Sequence, residues 1–445
     1  MEDDEVEPVD ELFLRRLLVS PPIDSDHRDP PPDSILLDPF GFISSRENNT
    51  TAEGKTRDGR TIRVSFWPAK PPRVSCFTVH CPDLPNEAFG DFPKIVTSEA
   101  DLVLLRVPIC RRGDHQYREN SDYFVYKVGK MGPSLDLIPR DPEPLPNFTD
   151  SNVVLLRCRS RNMYFIAKLG NWEFRGDGKQ YNMYLYNSKK RSWSTKLMYA
   201  SKDFNYCYPT KVITIGGPLG SVGWVDLWRG ILICDLQQEG SQLRYIPLPS
   251  LTVPKEPEGP PTYIRDIIVV QGKIKYFDMH TYIKVDPESF CCVFDGWVAV
   301  TSERDPNKAY KNWNGHCRME ISEVTVTDLT CVQMLPNQQG EDDTVTILKK
   351  LDAGCPSLSL QHDGVVYITN KLEFHDPEAW VIAVDMKRKT LHDVAYYHVS
   401  GRRLSYGSAF FESGITKHLA LWYATRHGHT AAVTRKNRVA YAGKK

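Results

Sequence analysis

The segment with the clearest chemical potential is residues 223–230, GWVDLWRG, which holds two tryptophans, an aspartate and an arginine. Side chains two positions apart share a face on a strand, so Trp224, Asp226 and Trp228 are predicted to point the same way. Tryptophan and arginine supply much of the contact energy at protein interfaces. Trp224, Asp226, Trp228 and Arg229 therefore form a candidate interaction platform. The alternative, which we favour, is an aromatic pair in a sheet core with a structural contact between Asp226 and Arg229.

Other motifs that could support catalysis are incomplete. The glycine cluster at 216–221, GGPLGS, lacks the Lys-Ser/Thr ending of a phosphate-binding loop and predicts a turn between strands. The sequence contains no nucleophile elbow, zinc-protease motif or kinase signature set. His427 and His429 lie close together in a polar, basic stretch that favours a solvated loop over a metal site. We expect no catalytic residue, no cofactor and no metal ligand, and we favour a protein that is not an enzyme.

The elements that would position these residues are short strands. From Ile35 onward, apolar or alternating runs are bounded by Gly, Pro, Asn and Asp, which is the pattern of strands. The 32 prolines divide the chain into pieces too short for long helices. A repeated plan of strand, polar turn and aromatic-bearing strand starts at Tyr123, Tyr184, Ile231 and Val381, with spacings of 61, 47 and 150 residues. A unit of about 50 residues is typical of kelch-like arrays.

This pattern predicts an all-β fold, a β-propeller-like array of four-stranded antiparallel blades. Six blades are preferred, with five or seven possible, and a two-sheet sandwich is the rival architecture. We assign residues 1–33 to an acidic, largely disordered lead and residues 34–425 to the propeller-like domain, with a core motif at 221–249. Residues 426–445 are assigned to a disordered basic tail.

Charge and cysteine usage narrow the class of partner. The 56 basic and 56 acidic residues cancel, which argues against nucleic-acid binding by the whole chain. Seven bases and no acid lie between Ser413 and Lys445, so nucleic-acid contact through this stretch is a weaker option. The acidic start does not resemble a signal peptide, and we expect no membrane segment. Eleven cysteines without framework spacing indicate reduced thiols, and we expect an intracellular, cytoplasmic and/or nuclear protein.

The central motif resembles a known family. Residues 222–235, VGWVDLWRGILICD, followed by LRYIPLP at 243–249, closely resemble the core motif of the plant, chiefly grass, family catalogued as domain of unknown function 1618. Residues 35–43, ILLDPFGFI, and PPRVS at 71–75 resemble that family's usual lead-in. The resemblance implies an uncharacterised plant protein from a family with no established activity. It therefore implies no functional residue.

A looser similarity links the repeat plan to the kelch-like propeller regions that follow an F-box in plant substrate adaptors. Residues 8–18, PVDELFLRRLL, are faintly similar to the first helix of an F-box. Pro21 and Pro22 interrupt the chain where further helices would follow. Because a complete F-box is absent, we expect no docking onto a ligase scaffold.

Two functions fit these observations. The leading hypothesis is a soluble, non-enzymatic protein-interaction module of unknown pathway, with one or more unknown protein partners. The alternative is a carbohydrate-active or other hydrolase with a carboxylate site in the propeller channel. Two carboxylates within about 10 Å, one of them with a raised pKa, would favour that alternative.

Overall fold

The computed structural model describes residues 32–110, 120–140, 151–176, 178–240, 242–249, 259–287, 290–306, 313–326, 328, 333–336, 343–373, 376–398 and 410–423. Over these residues the protein consists of 27 strands in six sheets, two α-helices and four 3-10 turns. No helix in these ranges is long and apolar enough to cross a membrane. The predicted all-β class is confirmed.

Four of the six blades are regular antiparallel sheets whose strands follow chain order. Blade 2 contains β6 (Lys94–Glu99), β7 (Leu102–Val107), β8 (Asp122–Gly129) and β9 (Gly132–Leu137). Blade 3 contains β10 (Val153–Cys158), β11 (Met163–Arg175), β12 (Gly178–Asn187) and β13 (Ser192–Ser201). Blade 4 contains β14 (Lys211–Gly216), β15 (Ser221–Asp226), β16 (Gly230–Asp235) and β17 (Arg244–Pro247). Blade 5 contains β18 (Arg265–Val270), β19 (Lys273–Val285), β20 (Cys292–Arg304) and β21 (Asn314–Glu320).

Blade 6 has an additional outer strand. Its antiparallel strands are β23 (Asp352–Leu358), β24 (Val365–Lys371), β25 (Glu378–Asp385) and β26 (Thr390–His398), and β22 (Thr325–Val326) pairs parallel to β26. Helix α1 (Thr344–Lys350) precedes β23 and packs on β20. Asp343 caps α1 by accepting a hydrogen bond from the Val345 amide at 3.3 Å. The 3-10 turns are Asn86–Ala88, Arg159–Arg161, Pro261–Tyr263 and Ile321–Glu323.

Blade 1 is built from both ends of the described chain. Its sheet contains β1 (Ile35–Leu37), β2 (Phe42–Ile43), β3 (Ala52–Lys55), β4 (Thr61–Trp67), β5 (Val74–His80) and β27 (Phe411–Ser413). Strand β1 pairs parallel to β5 on one side and antiparallel to β27 on the other. Helix α2 (415–423) follows β27. The first blade is therefore completed by residues almost 380 positions later in the chain.

The innermost strands of the six blades form a closed ring. In order these are β6, β10, β14, β18, β23 and β27, and each lies against the next, with β27 returning to β6. The six-bladed propeller is confirmed, and the two-sheet sandwich is wrong because the six sheets pack around this ring. The parallel pairs in blades 1 and 6 are departures from the predicted four-stranded antiparallel plan. They arise because β1, β2 and β22 are added beside complete hairpins.

The distribution of apolar residues explains the blade structure. Every residue of β7, LVLLRV, is buried because both of its faces pack against neighbouring blades. The outer strand β13, by contrast, has only two buried residues among its ten. The turn between β18 and β19 places Gln271 at φ 51° and Gly272 at φ 76°, the left-handed pair that a two-residue hairpin requires.

The predicted termini lie largely outside the described residues. This applies to almost all of the 1–33 lead with its F-box-like segment, to the 426–445 tail, and to His427 and His429. The assigned domain boundaries therefore stay predictions.

Candidate functional site

Trp224 lies in the core between blades 3 and 4. Its side chain is fully buried, and its indole Nε1 donates a hydrogen bond to the Asn152 carbonyl at 2.9 Å. It packs in the cluster that contains Met183 and Leu232. This tryptophan presents no surface to a partner, so the structure assigns it a packing role.

Asp226 organises the turn between β15 and β16. It is buried, and its carboxylate accepts hydrogen bonds from the Cys207 amide at 3.0 Å and the Trp228 amide at 3.0 Å, and from Arg229 Nη1 at 3.2 Å. Strand β15 ends at Asp226, so Trp228 belongs to the turn. The prediction that Trp224, Asp226 and Trp228 share one face is therefore wrong for Trp228. The strand ends at Asp226, and the hydrogen bonds that the Asp226 carboxylate accepts stabilise a tight turn in the residues that follow.

Trp228 joins blade 4 to blade 5. Its ring stacks on the buried Arg265 guanidinium, whose Cζ lies 4.2 Å from the ring centroid. Arg265 Nε donates to Asp278 at 2.8 Å, and its Nη1 donates to the Leu227 carbonyl at 2.8 Å. Trp228 and Arg229 keep part of their surface exposed. Of the four predicted platform residues, only these two can contact a partner.

Two long hairpins lie beside this turn. Strand β10 pairs only with Met163–Lys168 of β11, and β18 pairs only with Lys273–Asp278 of β19, so both 13-residue strands continue beyond the inner ring. Each hairpin joins the second and third strands of its blade, as the β15–β16 turn does in blade 4. All three connections therefore lie at the same end of the propeller. We call the surface formed by the β11–β12 hairpin, the β15–β16 turn and the β19–β20 hairpin the hairpin face.

A continuous series of contacts connects the parts of the hairpin face. Trp172 Nε1, on β11, donates to the Cys207 carbonyl at 3.3 Å. The Cys207 amide in turn binds Asp226, and the neighbouring Trp228 stacks on Arg265 of blade 5. Blades 3, 4 and 5 thus support one surface.

Apolar side chains are exposed on the two hairpins. The exposed fractions are 67% for Phe174, 59% for Ile283, 60% for Val285 and 82% for Phe290. Residues 281–285 of β19 hydrogen-bond to β20 on one side, and no described strand pairs with their other edge. Exposed apolar side chains beside an unpaired strand edge are typical of a protein-binding surface.

The hairpin face was not predicted from the sequence. Beyond Leu169, Trp172 and Phe174 alternate with polar residues, and a β-bulge between Leu169 and Trp172 shifts the register. This second alternation is the signal that could have extended the strand. It does not show that the extension has no neighbouring blade to cover it, because burial depends on the lengths of strands in other parts of the chain.

The ring of inner strands contains a second group of polar residues. Lys211 of β14 contacts Asp266 of β18, and Asp266 Oδ2 accepts a hydrogen bond from the Leu358 amide at 2.8 Å. The pKa of Glu412 on β27 is raised to about 8, mainly by burial, with a smaller contribution from nearby Asp266, while Lys211 opposes the shift. The Ser34 hydroxyl and the Leu360 amide lie close enough to lower that pKa. Across the described residues, neither oxygen of Glu412 accepts a well-formed hydrogen bond.

The polar group in the ring of inner strands partly matches the carboxylate pair that the hydrolase alternative requires. Asp266 and Glu412 are close enough to interact electrostatically, and one has a raised pKa. However, Asp266 is already bound by Lys211 and Leu358, and both oxygens of Glu412 are shielded from solvent. In this conformation neither a water molecule nor a sugar reaches the acid. The hydrolase alternative stays a prediction.

Metal-ligating side chains do not cluster in the described parts of the chain. No group of three or more His, Cys, Asp or Glu side chains there could hold a metal ion. Cys76 and Cys81, which are near His80 in sequence, are both buried, and burial raises the pKa of Cys81 to about 11.

The comparison with protein families gives one match, which starts at the first tryptophan of the central motif. Residues 224–367 match the family described as "Protein of unknown function (DUF1618)". The DUF1618 region covers about a third of the chain, from β15 in blade 4 to β24 in blade 6. Plant origin and the looser F-box and kelch similarity stay predictions.

None of the curated proteins compared with this chain matches it. Solved structures with distant similarity include a protein of unknown function from Dyadobacter fermentans, at 14% identity, 72% coverage of this chain, 84% of that chain and a TM-score of 0.30. The WD40 domain of SCAP from fission yeast has 11% identity, 83% and 90% coverage and a TM-score of 0.29. A GH32 beta-fructofuranosidase from Bombyx mori has 11% identity, 86% and 88% coverage and a TM-score of 0.26. Similarities this distant support no functional argument.

Proposed function

We propose that the protein is a non-enzymatic interaction module that binds a partner protein on the hairpin face. The observation that carries this proposal is the β19–β20 hairpin, where Ile283, Val285 and Phe290 are exposed beside an unpaired strand edge. Exposing three large apolar side chains in water is unfavourable by roughly 1.5–3 kcal/mol each relative to full burial. A partner that covers them recovers part of this free energy.

The partner that fits this surface is a protein with an extended apolar segment. Such a segment can add to the free edge of residues 281–285 through backbone hydrogen bonds, while its side chains contact Ile283 and Val285. Trp228 and Arg229 lie on the neighbouring blade and extend the surface with an aromatic ring and a cation. Both residue types are enriched where binding energy concentrates.

The cellular context belongs to the same proposal. The ten described cysteines form no disulfide with one another, which supports our proposal of an intracellular protein, cytoplasmic and/or nuclear, in a reducing compartment. We propose a plant origin on the resemblance of the central motif. We propose no cofactor and no nucleic-acid, membrane or ligase-scaffold partner.

A comparative pull-down with the full chain tests this function. Proteins recovered from plant cells by the wild type are quantified against Ile283→Ser and Phe290→Ser, which change exposed side chains and should alter stability by less than about 0.5 kcal/mol. Met131→Ser is the matched control, because Met131 is an almost fully exposed apolar residue in the β8–β9 turn at the opposite end of the propeller. We expect a specific partner to be lost from both hairpin variants and retained by the control.

Two further results complete that test. Purified partner should bind the wild type in a two-component assay and bind Ile283→Ser at least tenfold more weakly. Equal recovery by the wild type and both folded hairpin variants would show that this surface is not the binding site.

A further inference from the structure

Closure of the propeller ring depends on the three-residue strand β27. It pairs with β1 in the register Ile35 to Ser413. The Ser413 and Ser98 hydroxyls are 2.7 Å apart, which connects β27 to β6, and the Ser357 hydroxyl donates to the Phe410 carbonyl at 3.1 Å, which connects it to β23. Since β27 is so short, these few bonds hold the last inner strand in place.

Helix α2 continues from this strand and adds apolar packing. Ile415 and Leu419 are buried in the cluster between blades 1 and 2 that also contains Phe66 and Tyr126. The Trp422 ring lies against Gly132 in the β8–β9 turn, where a Cβ atom would approach it to 3.1 Å. Strand β27 and helix α2 are thus one closing segment, residues 410–423.

Two partly buried glutamates lie at this seam, and both carboxylate oxygens of Glu412 are shielded from solvent. Glu412 is the middle residue of β27, and Glu99 is the last residue of the adjacent inner strand β6. Burial raises the pKa of Glu99 to about 7, with Arg159 opposing and Asp101 adding to the shift. The pKa of Glu412 is about 8 for the reasons given above. In the closed ring each carboxyl therefore keeps its proton to a higher pH than an ordinary glutamate does.

The charged groups around Glu412 do not neutralise its carboxylate. Lys211, the cation that lowers the pKa of Glu412, is already engaged by the Asp266 carboxylate. Burial, with a smaller contribution from nearby Glu412, raises the pKa of the Tyr367 phenol on β24 to about 12. On ionisation, Glu412 would thus share a buried space with the charge of Asp266.

The surroundings of Glu99 contain charges of both signs. Asp101 accepts hydrogen bonds from Arg157 Nε at 3.0 and 3.2 Å, and Arg159 attracts the Glu99 carboxylate. On α2, burial lowers the pKa of His418, and Lys417 also lies nearby and lowers it. An ionised Glu99 is therefore better compensated than an ionised Glu412.

We propose that closure of the ring by residues 410–423 is pH-dependent, and that the segment is released as the Glu412 and Glu99 carboxyls lose their protons. A carboxylate without a bonded cation is costly in the ring, and release of β27 exposes it to water. Proton binding favours the closed ring, because both pKa values are higher when it is closed than in water. Closure is thus strongest at acidic pH and weakens as pH rises through about 8.

The expected size of the effect follows from the pKa difference. If Glu412 titrates near its ordinary value of 4.5 when released and near 8 when closed, the ratio of released to closed ring increases about 50-fold between pH 6 and pH 8. If Glu99 is also exposed on release, it adds a factor of about ten over the same range. Above pH 8 the dependence levels off.

Hydrogen exchange of the full chain, measured by mass spectrometry from pH 5.5 to 9, tests this proposal. Exchange in peptides from 410–423 is corrected for the intrinsic pH dependence and compared with peptides from β15 and β16, which lie far from the seam. We expect the opening equilibrium of 410–423 to increase at least 30-fold from pH 6 to pH 8, while the blade 4 peptides stay constant.

Neutral variants assign the effect to the two carboxyls. Glu412→Gln should reduce the increase in the opening equilibrium between pH 6 and pH 8 to about tenfold or less. Glu99→Gln should retain most of that increase. Glu323→Gln is the control, because this glutamate is exposed and lies in blade 6 beside β22. A flat corrected profile in the wild type would overturn the proposal even if neither seam variant folds, and so would a dependence that persists in the double variant.

Discussion

The Arg265 guanidinium lies 4.2 Å from the centre of the Trp228 ring. Arg265 is the first residue of β18, so this contact joins blade 5 to the β15–β16 turn of blade 4. Arg265 also binds the buried Asp278 carboxylate and the Leu227 carbonyl. One side chain thus provides an ion pair, a backbone hydrogen bond and a stacking contact. This relationship shows that part of the candidate platform holds two blades together.

Replacing Arg265 should destabilise the propeller strongly. Arg265→Ala removes the guanidinium partner of buried Asp278, and breaking a buried ion pair costs about 3–5 kcal/mol. Urea unfolding of the variant should show a loss of at least about 3 kcal/mol. The matched control is Arg318→Ala, which breaks an exposed pair with Glu320 and should cost less than about 1 kcal/mol. Equal losses for the two variants would contradict the role assigned to Arg265.

The two tryptophans of the central motif should respond differently to truncation. Trp224→Ala leaves a cavity in the core of blades 3 and 4 and should cost about 3–5 kcal/mol. Trp228→Ala loses mainly the stacking on Arg265 and should cost about 1–2 kcal/mol. Thermal unfolding checks both values. A Trp224 variant with wild-type stability would show that its side chain is not part of the core.

Gly230 should tolerate no larger residue, because a Cβ atom there would overlap the Tyr245 ring. The Tyr245 hydroxyl donates to the Asn205 carbonyl at 2.6 Å, which limits its freedom to move aside. Gly230→Ala should therefore cost about 1–3 kcal/mol of unfolding free energy. Gly240→Ala is the control, since a Cβ atom there meets nothing within 4 Å. The prediction fails if both substitutions are neutral in a denaturant titration.

Glu412 should make the protein less stable as pH rises. Its pKa is about 8 in the folded protein and near 4.5 in the unfolded chain, so the folded state binds the proton more tightly. Its contribution is fully present below pH 4.5 and declines to a minimum above pH 8, a total change of roughly 5 kcal/mol. Glu412→Gln should lose this dependence. The test is the difference between wild-type and variant urea midpoints from pH 5 to pH 9, and a constant difference would contradict the prediction.

The strands and their arrangement in blades could be predicted from local patterns. The run LVLLRV of β7 indicates a strand buried on both faces, and Gln271-Gly272 predicts a tight turn. The repeated spacing near 50 residues predicted the array of blades. These features are local because alternation and turn conformation depend on neighbouring residues.

The candidate site was predicted less completely. Trp224, Asp226, Trp228 and Arg229 were predicted as a candidate platform, but whether Trp224 and Trp228 are exposed depends on the blades that pack beside them. The same holds for the hairpin face, since Ile283 and Phe290 are exposed only because β18 and β21 do not extend along their hairpin. Glu412 gave no signal, because a single acid in a short apolar run resembles many surface strands.

The amino-acid sequence by itself determined the strand content, the tight turns and the repeated blade unit, because these follow from contacts between residues near each other in the chain. The tertiary structure decided which residues close the ring and which remain uncovered. Ile35 pairs with Ser413, and Asp266 binds the Leu358 amide, only once all six blades have packed together. Burial is a property of that whole assembly, so the raised pKa of Glu412 and the exposure of Phe290 could not be determined before it.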